Sequence, residues 1–278
     1  MSTLVPPLLA GLIDDAAVFP PGSATLPEAL ASHRAHRAAW YAPIVGALLV
    51  PPEDLTALGA LLRPAETVEA GLVGGREAVA RALADVPAGV SVRQVEAPVA
   101  KRGEDPLPGL GAFLADFGHR IAYAEIPLTA GLFGALDEIA DARERGARVA
   151  PKFRTGGLAA ELFPTPVELA GVICACRDRA LPFKLTAGLH HALRHTDRET
   201  GLTHHGFLNV LVAVCAAADG AAPADVAQIL AGTDPLPLVE GARARLREVR
   251  PLWTGFGTCS ILEPLADLRT LGLVGFAT

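Results

Sequence analysis

The chain has 278 residues, of which 51% are hydrophobic, 19% charged and 5% aromatic, with four cysteines and a formal net charge of −6. That apolar fraction excludes an intrinsically disordered chain, four cysteines are too few to staple a small secreted fold, and the acidic balance leaves no basic footprint for nucleic acid. The length suits two average domains or one large α/β barrel of about 250 residues.

Apolar, β-rich runs alternate with longer helical patterns, the signature of βα units. Residues 9–19 form the first strand run. Thr25-Leu26-Pro27-Glu28 has the form of a capping box and opens a helix through His33, His36 and Ala39. Residues 44–50 read as a buried strand stopped by Pro51-Pro52, and 54–62 as a helix. A third strand at 68–73 ends on Gly74-Gly75 and is followed by a helix over 76–86. Further strands are expected at 90–95, 121–126, 147–153, 181–186 and 254–259. Helices are expected at 110–117, 132–145, 166–179, 207–218, 224–230 and 264–271, the third of these six behind the capping box Thr165-Pro166-Val167-Glu168. Eight strands separated by helices, with no composition shift or linker, predict a single (β/α)8 TIM-type barrel domain over residues 1–278. The first and third runs have the least strand character, which keeps a doubly wound α/β sheet as the alternative.

Nothing resembles a basic n-region before an apolar run, so no signal peptide is expected. The longest apolar stretch, near 208–218, falls short of the ~20 residues of a membrane span. Cys174 and Cys176 form C-x-C, while Cys215 and Cys259 stand far apart; without a C-x-x-C pair a zinc ribbon is not expected. The four read as free thiols of a cytoplasmic protein, and the usage, rich in Ala, Arg, Gly and Pro and poor in Lys, as that of a GC-rich bacterial genome.

Polar residues stand where the strands end. The fourth strand ends Gln94-Val95-Glu96, the fifth Tyr123-Ala124-Glu125 and the sixth Lys152-Phe153-Arg154, and the seventh reads Phe183-Lys184-Leu185-Thr186. Alternation along a strand puts Lys152 and Arg154 on one face, and inward charges at the top of barrel strands usually belong to the active site. Lys152 and Lys184 lie on adjacent strands about 4.8 Å apart. Two ammonium groups at that range lower the pKa of one of them, and a neutral lysine attacks carbonyls to form a Schiff base. The alternative is that Glu96 and Glu125 neutralise both lysines, leaving Lys152 as a charge partner or phosphate ligand. Glycine-bearing loops follow the last three strands, at Thr155-Gly156-Gly157, at Ala187-Gly188 before His190 and His191, and at Gly257-Thr258-Cys259-Ser260. Barrels often bind phosphate there through backbone N–H groups. Asp14, beside Asp15, can reach the pocket from the first strand. His190, His191, His195, His204 and His205 crowd one stretch, whose 194–202 segment reads as a polar loop over the barrel mouth. Acid–base work or metal binding are the functional readings of these histidines, although no H-E-x-x-H occurs.

Two resemblances enter on these motifs. Asp14 ahead of Phe19-Pro20-Pro21, Arg154-Thr155-Gly156-Gly157, the run from Phe183 to His191 and His205-Gly206-Phe207-Leu208-Asn209 resemble the motifs of a widespread uncharacterised bacterial family. The second half is similar to deoxyribose-phosphate aldolase and related class I aldolase barrels. Lys152, Thr155 and Gly156 match that family's Lys-x-x-Thr-Gly. Lys184 and Gly188 match Lys-x-x-Gly-Gly, with Ala187 in place of the first glycine and His190 where a basic residue often follows. Gly257, Thr258, Cys259 and Ser260 match its phosphate loop with one Ser changed to Cys.

The resemblance implies a lyase that acts through a Lys152 imine on a small carbonyl compound, with phosphorylated sugars among the candidates. Lys184 would depress the Lys152 pKa, and Glu96 or Glu125 would shuttle protons, a role that needs a raised pKa. His190 joins these catalytic groups, and Asp14, Arg154, Thr155, Gly156, Gly157, Gly188, His191, His205, Gly257, Thr258 and Ser260 would line the substrate. No cofactor is called for, the expected partner is a small molecule rather than nucleic acid or membrane, and a homo-oligomer is left open. Two rival readings remain. One is a metal-assisted isomerase or hydrolase with ligands from His190, His191, His205, Glu125 and Asp14. The other is a non-catalytic binding barrel.

Overall fold

The computed structural model describes residues 5–157 and 159–275. Eight parallel strands close into one barrel: β1 (Ile13–Asp15), β2 (Val45–Val50), β3 (Val68–Val73), β4 (Val90–Pro98), β5 (Ala122–Glu125), β6 (Val149–Arg154), β7 (Phe183–Thr186) and, beyond a small hairpin of β8 (His195–Thr196) and β9 (Thr203–His204), β10 (Trp253–Thr258). Barrel neighbours follow chain order, and β10 closes onto β1. Outside lie α1 (Leu26–Ala38), α2 (Leu55–Ala60), α3 (Arg76–Leu83), α4 (Pro106–Phe117), α5 (Leu132–Glu144), α6 (Pro166–Asp178), α7 (Phe207–Ala218), α8 (Pro223–Ala231), α9 (Pro235–Arg245) and α10 (Leu262–Thr270). This is the expected (β/α)8 architecture.

Parallel strands are covered on both faces and read as apolar runs; β2 is buried at every position. Helices begin where the capping chemistry stands. At α6 the Glu168 carboxylate accepts the Thr165 N–H at 2.7 Å while the Thr165 hydroxyl accepts the Glu168 N–H at 3.2 Å. Strand alternation sends Phe153 and Leu185 outward into the helix layer and Lys152 and Lys184 into the barrel.

Three details depart from the sequence reading. The first strand is three residues long, because a 3-10 turn at Pro7–Leu9 with the turn after it, and the turn that begins at Ala17, take the rest of the apolar run. The 194–202 segment is not a plain loop. It folds back as the β8–β9 hairpin, whose turn is held by the Asp197 carboxylate accepting the Thr200 N–H at 2.7 Å and the Glu199 N–H at 3.0 Å. Helix α9 has no counterpart among the expected elements, and two prolines, Pro235 and Pro237, stand at its start. Both sit in the first turn, where the N–H has no helical partner to lose, and Asp234 caps the Leu236 N–H at 3.0 Å.

The Asn209 motif is explained by packing. Asn209 in α7 is fully buried; its side chain accepts the Arg194 N–H at 2.9 Å and donates to the carbonyls of Ile229 and Gly232 at 2.9 and 2.8 Å. It thus ties the hairpin's approach to the end of α8. Unpairing buried polar groups costs about 1–3 kcal/mol each, so Asn209→Ala is expected to lower the unfolding free energy by about 2–4 kcal/mol, read from the urea midpoint. Cys174, Cys176 and Cys215 are buried free thiols and Cys259 is half-buried. Among the described residues no helix is long and apolar enough to cross a membrane.

Candidate active site

Side chains from five strands meet inside the barrel in one continuous chain of charge. The Lys184 ammonium on β7 donates to Asp14 Oδ2 on β1 and to Glu96 Oε1 on β4, the latter at 2.5 Å. The Lys152 ammonium on β6 donates to the other Glu96 oxygen, Oε2, at 2.8 Å and to Glu125 Oε2 on β5 at 2.9 Å. Arg154, exposed at the strand end, reaches Glu125 Oε1 at 3.3 Å. Register makes this possible: Glu125 stands beside Lys152, and Lys152 beside Lys184. The chain contains three lysines, and these two are each only 2% exposed, while Lys101 lies at the surface.

Supporting groups hold the carboxylates in place. Gln94 Nε2 donates to Asp14 Oδ2 at 2.8 Å and to Glu96 Oε1 at 2.9 Å, and the Ala47 N–H donates to Asp14 Oδ1 at 2.9 Å. Gly46 is needed for this reach, because a Cβ there would collide with Asp14 Oδ1. The Tyr123 ring covers the Lys184 ammonium with its centroid 5.0 Å away, a cation–π contact. Gln94 and Tyr123 were not among the expected site residues. Their signal in the sequence is that each stands two positions before a site glutamate, on the same strand face.

Charge balance decides the protonation states. Burial alone pushes both lysines toward the neutral form. The carboxylates of Asp14, Glu96 and Glu125 outweigh it, so both ammonium groups are held above the usual lysine range. Burial likewise pushes Glu96 up, but the two ammonium charges outweigh it and hold its carboxyl down at about 2. Glu125 is lowered in the same way by Lys152 and then Arg154. Two expectations are thereby reversed. Lys184 does not depress the Lys152 pKa, because Glu96 stands between the ammonium groups and offers one oxygen to each. Nor do Glu96 and Glu125 have raised pKa values; both are ionised in the resting site, and the neighbouring cations make each a weaker base than a free carboxylate. The neutralisation alternative describes the resting site.

The chain of charge has two openings. At the C-terminal end of the strands, Glu125 and Arg154 face a cleft of about 250 Å³, walled by residues after β4, β5 and β6 that include Arg102, Leu128 and Phe163. At the N-terminal end, Asp14 and Lys184 border a cavity of about 540 Å³.

The other expected site residues lie elsewhere. Thr155 is fully buried; its hydroxyl donates to the Ala187 carbonyl at 2.6 Å and its N–H to the Thr186 carbonyl at 2.9 Å, which braces the β6 loop against the β7 loop. Gly156 and Gly188 meet at this brace, where a Cβ on Gly156 would come within 3.0 Å of the Gly188 Cα, and Gly157 packs on Leu162. A Cβ at Gly257 would press on Leu49. Thr258 is buried, and the Ser260 hydroxyl accepts the Glu263 N–H at 3.3 Å at the start of α10. None of Thr155, Gly156, Gly157, Gly188, Gly257, Thr258 and Ser260 walls the cleft at Glu125, so the cleft belongs to the β4–β6 loops rather than to the glycine loops after β7 and β10.

The histidines also stand apart from the lysines. His190 Nδ1 lies 2.9 Å from Glu263 and His191 Nδ1 lies 3.4 Å from Asp267, both partners on α10. His205 is buried and donates from Nε2 to the Pro164 carbonyl at 2.7 Å, and burial pushes its ring down to about 4, so it is neutral. Asp15 points away from Asp14 and pairs with buried His33 at 3.0 Å. The donors of the metal reading therefore do not converge, and among the described residues no group of three His, Cys, Asp or Glu side chains is placed to hold an ion. Compared with known proteins, the chain matches no protein-family model and no curated protein; the two resemblances rest on their motifs alone.

Proposed function

We propose that the protein is a class I aldolase-like lyase in which Lys152 forms an imine with a small carbonyl compound. The observation that carries this reading is the placement of Lys152 between two carboxylates, one of which, Glu125, borders the cleft at the C-terminal end of the barrel, where barrel enzymes hold their active sites. Lys184 borders the opposite opening; Lys152 does not itself wall the cleft, but it is the lysine joined to it, through Glu125.

The raised lysine pKa works against attack by the free amine but leaves the overall proton balance unchanged. An ammonium and a carbonyl give a protonated imine and one water, so the nitrogen is cationic before and after and no net proton is exchanged. Glu96 and Glu125 hold the iminium as they hold the ammonium, a preorganised stabilisation that needs no reorientation. Within the step, one proton passes from Lys152 to Glu125, uphill from the resting ion pair; the freed lone pair attacks the carbonyl carbon, a second proton moves from the nitrogen to the carbonyl oxygen to make a hydroxyl, and the proton held by Glu125 goes to that hydroxyl, which leaves as water. The iminium then draws electrons from the adjacent carbon–carbon bond, which breaks as a carboxylate accepts the proton of the neighbouring hydroxyl. Lys184 acts through Glu96, which it keeps ionised and in position. Arg154 and Arg102 offer guanidinium groups at the cleft to an anionic end of the substrate, a phosphate among the candidates.

Incubation with acetaldehyde or glycolaldehyde followed by sodium borohydride is expected to place the reduced adduct on the peptide carrying Lys152, as read by mass spectrometry. Lys101 provides the internal measure of non-specific surface labelling, and Lys152→Met should abolish the specific adduct. Labelling confined to Lys101, or found at Lys184 in place of Lys152, would overturn the assignment.

A further inference from the structure

The β8–β9 hairpin carries imidazoles that the lysine chemistry does not use. His195 and His204 stand directly opposite each other across its two strands, and their rings stack with centroids 5.2 Å apart and 12° between their planes. His191, in the loop after β7, sets its ring edge-on to His195 at 4.9 Å. Each ring of the stack points Nδ1 at a backbone carbonyl, Leu193 at 3.1 Å for His195 and Gly188 at 3.3 Å for His204. Nδ1 therefore carries the proton of the neutral ring, and Nε2 is the atom that takes a second one. The same hairpin backs the cleft at Glu125. The His204 ring meets the Phe163 ring nearly at right angles at 4.9 Å, and the adjacent His205 donates to the Pro164 carbonyl at 2.7 Å. Phe163 and Pro164 both wall that cleft.

The surrounding charges do little to shelter a protonated stack. On α10, Glu263 and Asp267 are engaged by His190 and His191. In the hairpin turn, Asp197 is engaged by the N–H groups of Glu199 and Thr200, while Arg198 and Glu199 are exposed there with opposite signs. Arg194, just ahead of β8, adds positive charge, and His205, just ahead of α7, is neutral. Burial holds His204 below the usual histidine range; the Gly188 carbonyl and Asp197 oppose this, and charge on His195 or His190 adds to it. Like charges directly opposite each other on paired strands are destabilising. We propose that the hairpin is an acid-sensitive clamp: charging of both stacked rings parts β9 from β8 and frees the Phe163–Pro164 wall of the cleft. The sign follows from linkage. A histidine freed from the hairpin titrates near ~6.5. Closure is therefore full above that value and weakens as pH falls below it. This holds whatever chemistry the lysines perform.

The test is hydrogen exchange of the full chain at about pH 7.5 and about pH 5, on either side of the histidine range, read peptide by peptide and corrected for the intrinsic pH dependence of amide exchange. The Asp197 N–H, bonded to the Leu202 carbonyl at 2.9 Å, reports the hairpin. The Leu162 and Phe163 N–H groups, bonded to the Ala159 and Ala160 carbonyls at 3.0 and 3.1 Å, report the wall. In acid, protection at both places is expected to fall about fivefold, while protection across β2 holds. His195→Phe keeps a ring in the stack but cannot be charged, and should remove the acid loss at both places. His195→Gln removes the ring as well, and should give a hairpin whose protection no longer depends on pH, whatever its value at neutrality. Protection that does not fall in acid, that falls equally in both variants or across β2, or that falls in the hairpin while the wall stays protected, would each overturn the proposal.

Discussion

Replacing Glu96 by Gln is expected to remove about 3–5 kcal/mol of stability at neutral pH, the cost of breaking a buried ion pair and leaving its partner uncompensated. Glu96 is the one carboxylate shared by both buried lysines, so its loss leaves each ammonium with a single partner, Asp14 for Lys184 and Glu125 for Lys152. The pH dependence has a defined sign. The Glu96 carboxyl is held at about 2, below its usual value of ~4.3. Its stabilisation is therefore complete above the unfolded value and is lost as pH falls from there toward about 2. Urea unfolding of wild type and Glu96→Gln should show curves that lie far apart at pH 7 and converge toward the acid end. Equal stability at pH 7 would mean that the interior charges are not what holds this end of the network together.

Lys184→Met should cost a similar amount, about 3–5 kcal/mol, because it leaves Asp14 without its ammonium partner and Glu96 with Lys152 alone. Adding Asp14→Asn should recover part of the loss, so the double variant is more stable than the sum of the single changes requires. The sign at the alkaline end is opposite to that of Glu96. Lys184 is held above its usual range, so its contribution is full below the unfolded lysine value and fades as pH rises through the folded one. Wild type should thus lose its advantage over Lys184→Met toward high pH. Strictly additive single and double variants, measured by urea denaturation, would show that Asp14 and Lys184 do not act as a pair.

Much of the site was legible before any fold was known. Glu96, Glu125, Lys152, Arg154 and Lys184 stand at the ends of apolar strands, and the barrel brings all five into one network. The histidine stretch and the glycine loops drew the same attention, yet His190 and His191 turn to α10 and Thr155 braces two loops. Their residue types suit chemistry and structure equally well, and only the partner within reach separates the two. Asp14 and Asp15 make the same point, since adjacent residues on a strand face opposite sides and one joins the lysines while the other meets His33.

Sequence by itself determined the architecture and the strand ends at which charges would gather. Both follow from local patterns, the alternation of βα units and the two-residue period of a strand, that are written within a few tens of residues. Tertiary structure alone decided the protonation of those charges. Lys184 meets Asp14 across 170 residues of chain and Glu96 across 88. A pKa is set by which oppositely charged groups lie within a few ångströms, and closure of the barrel is what brings them there. Two lysines expected to repel one another thereby became two ammonium groups held by one carboxylate.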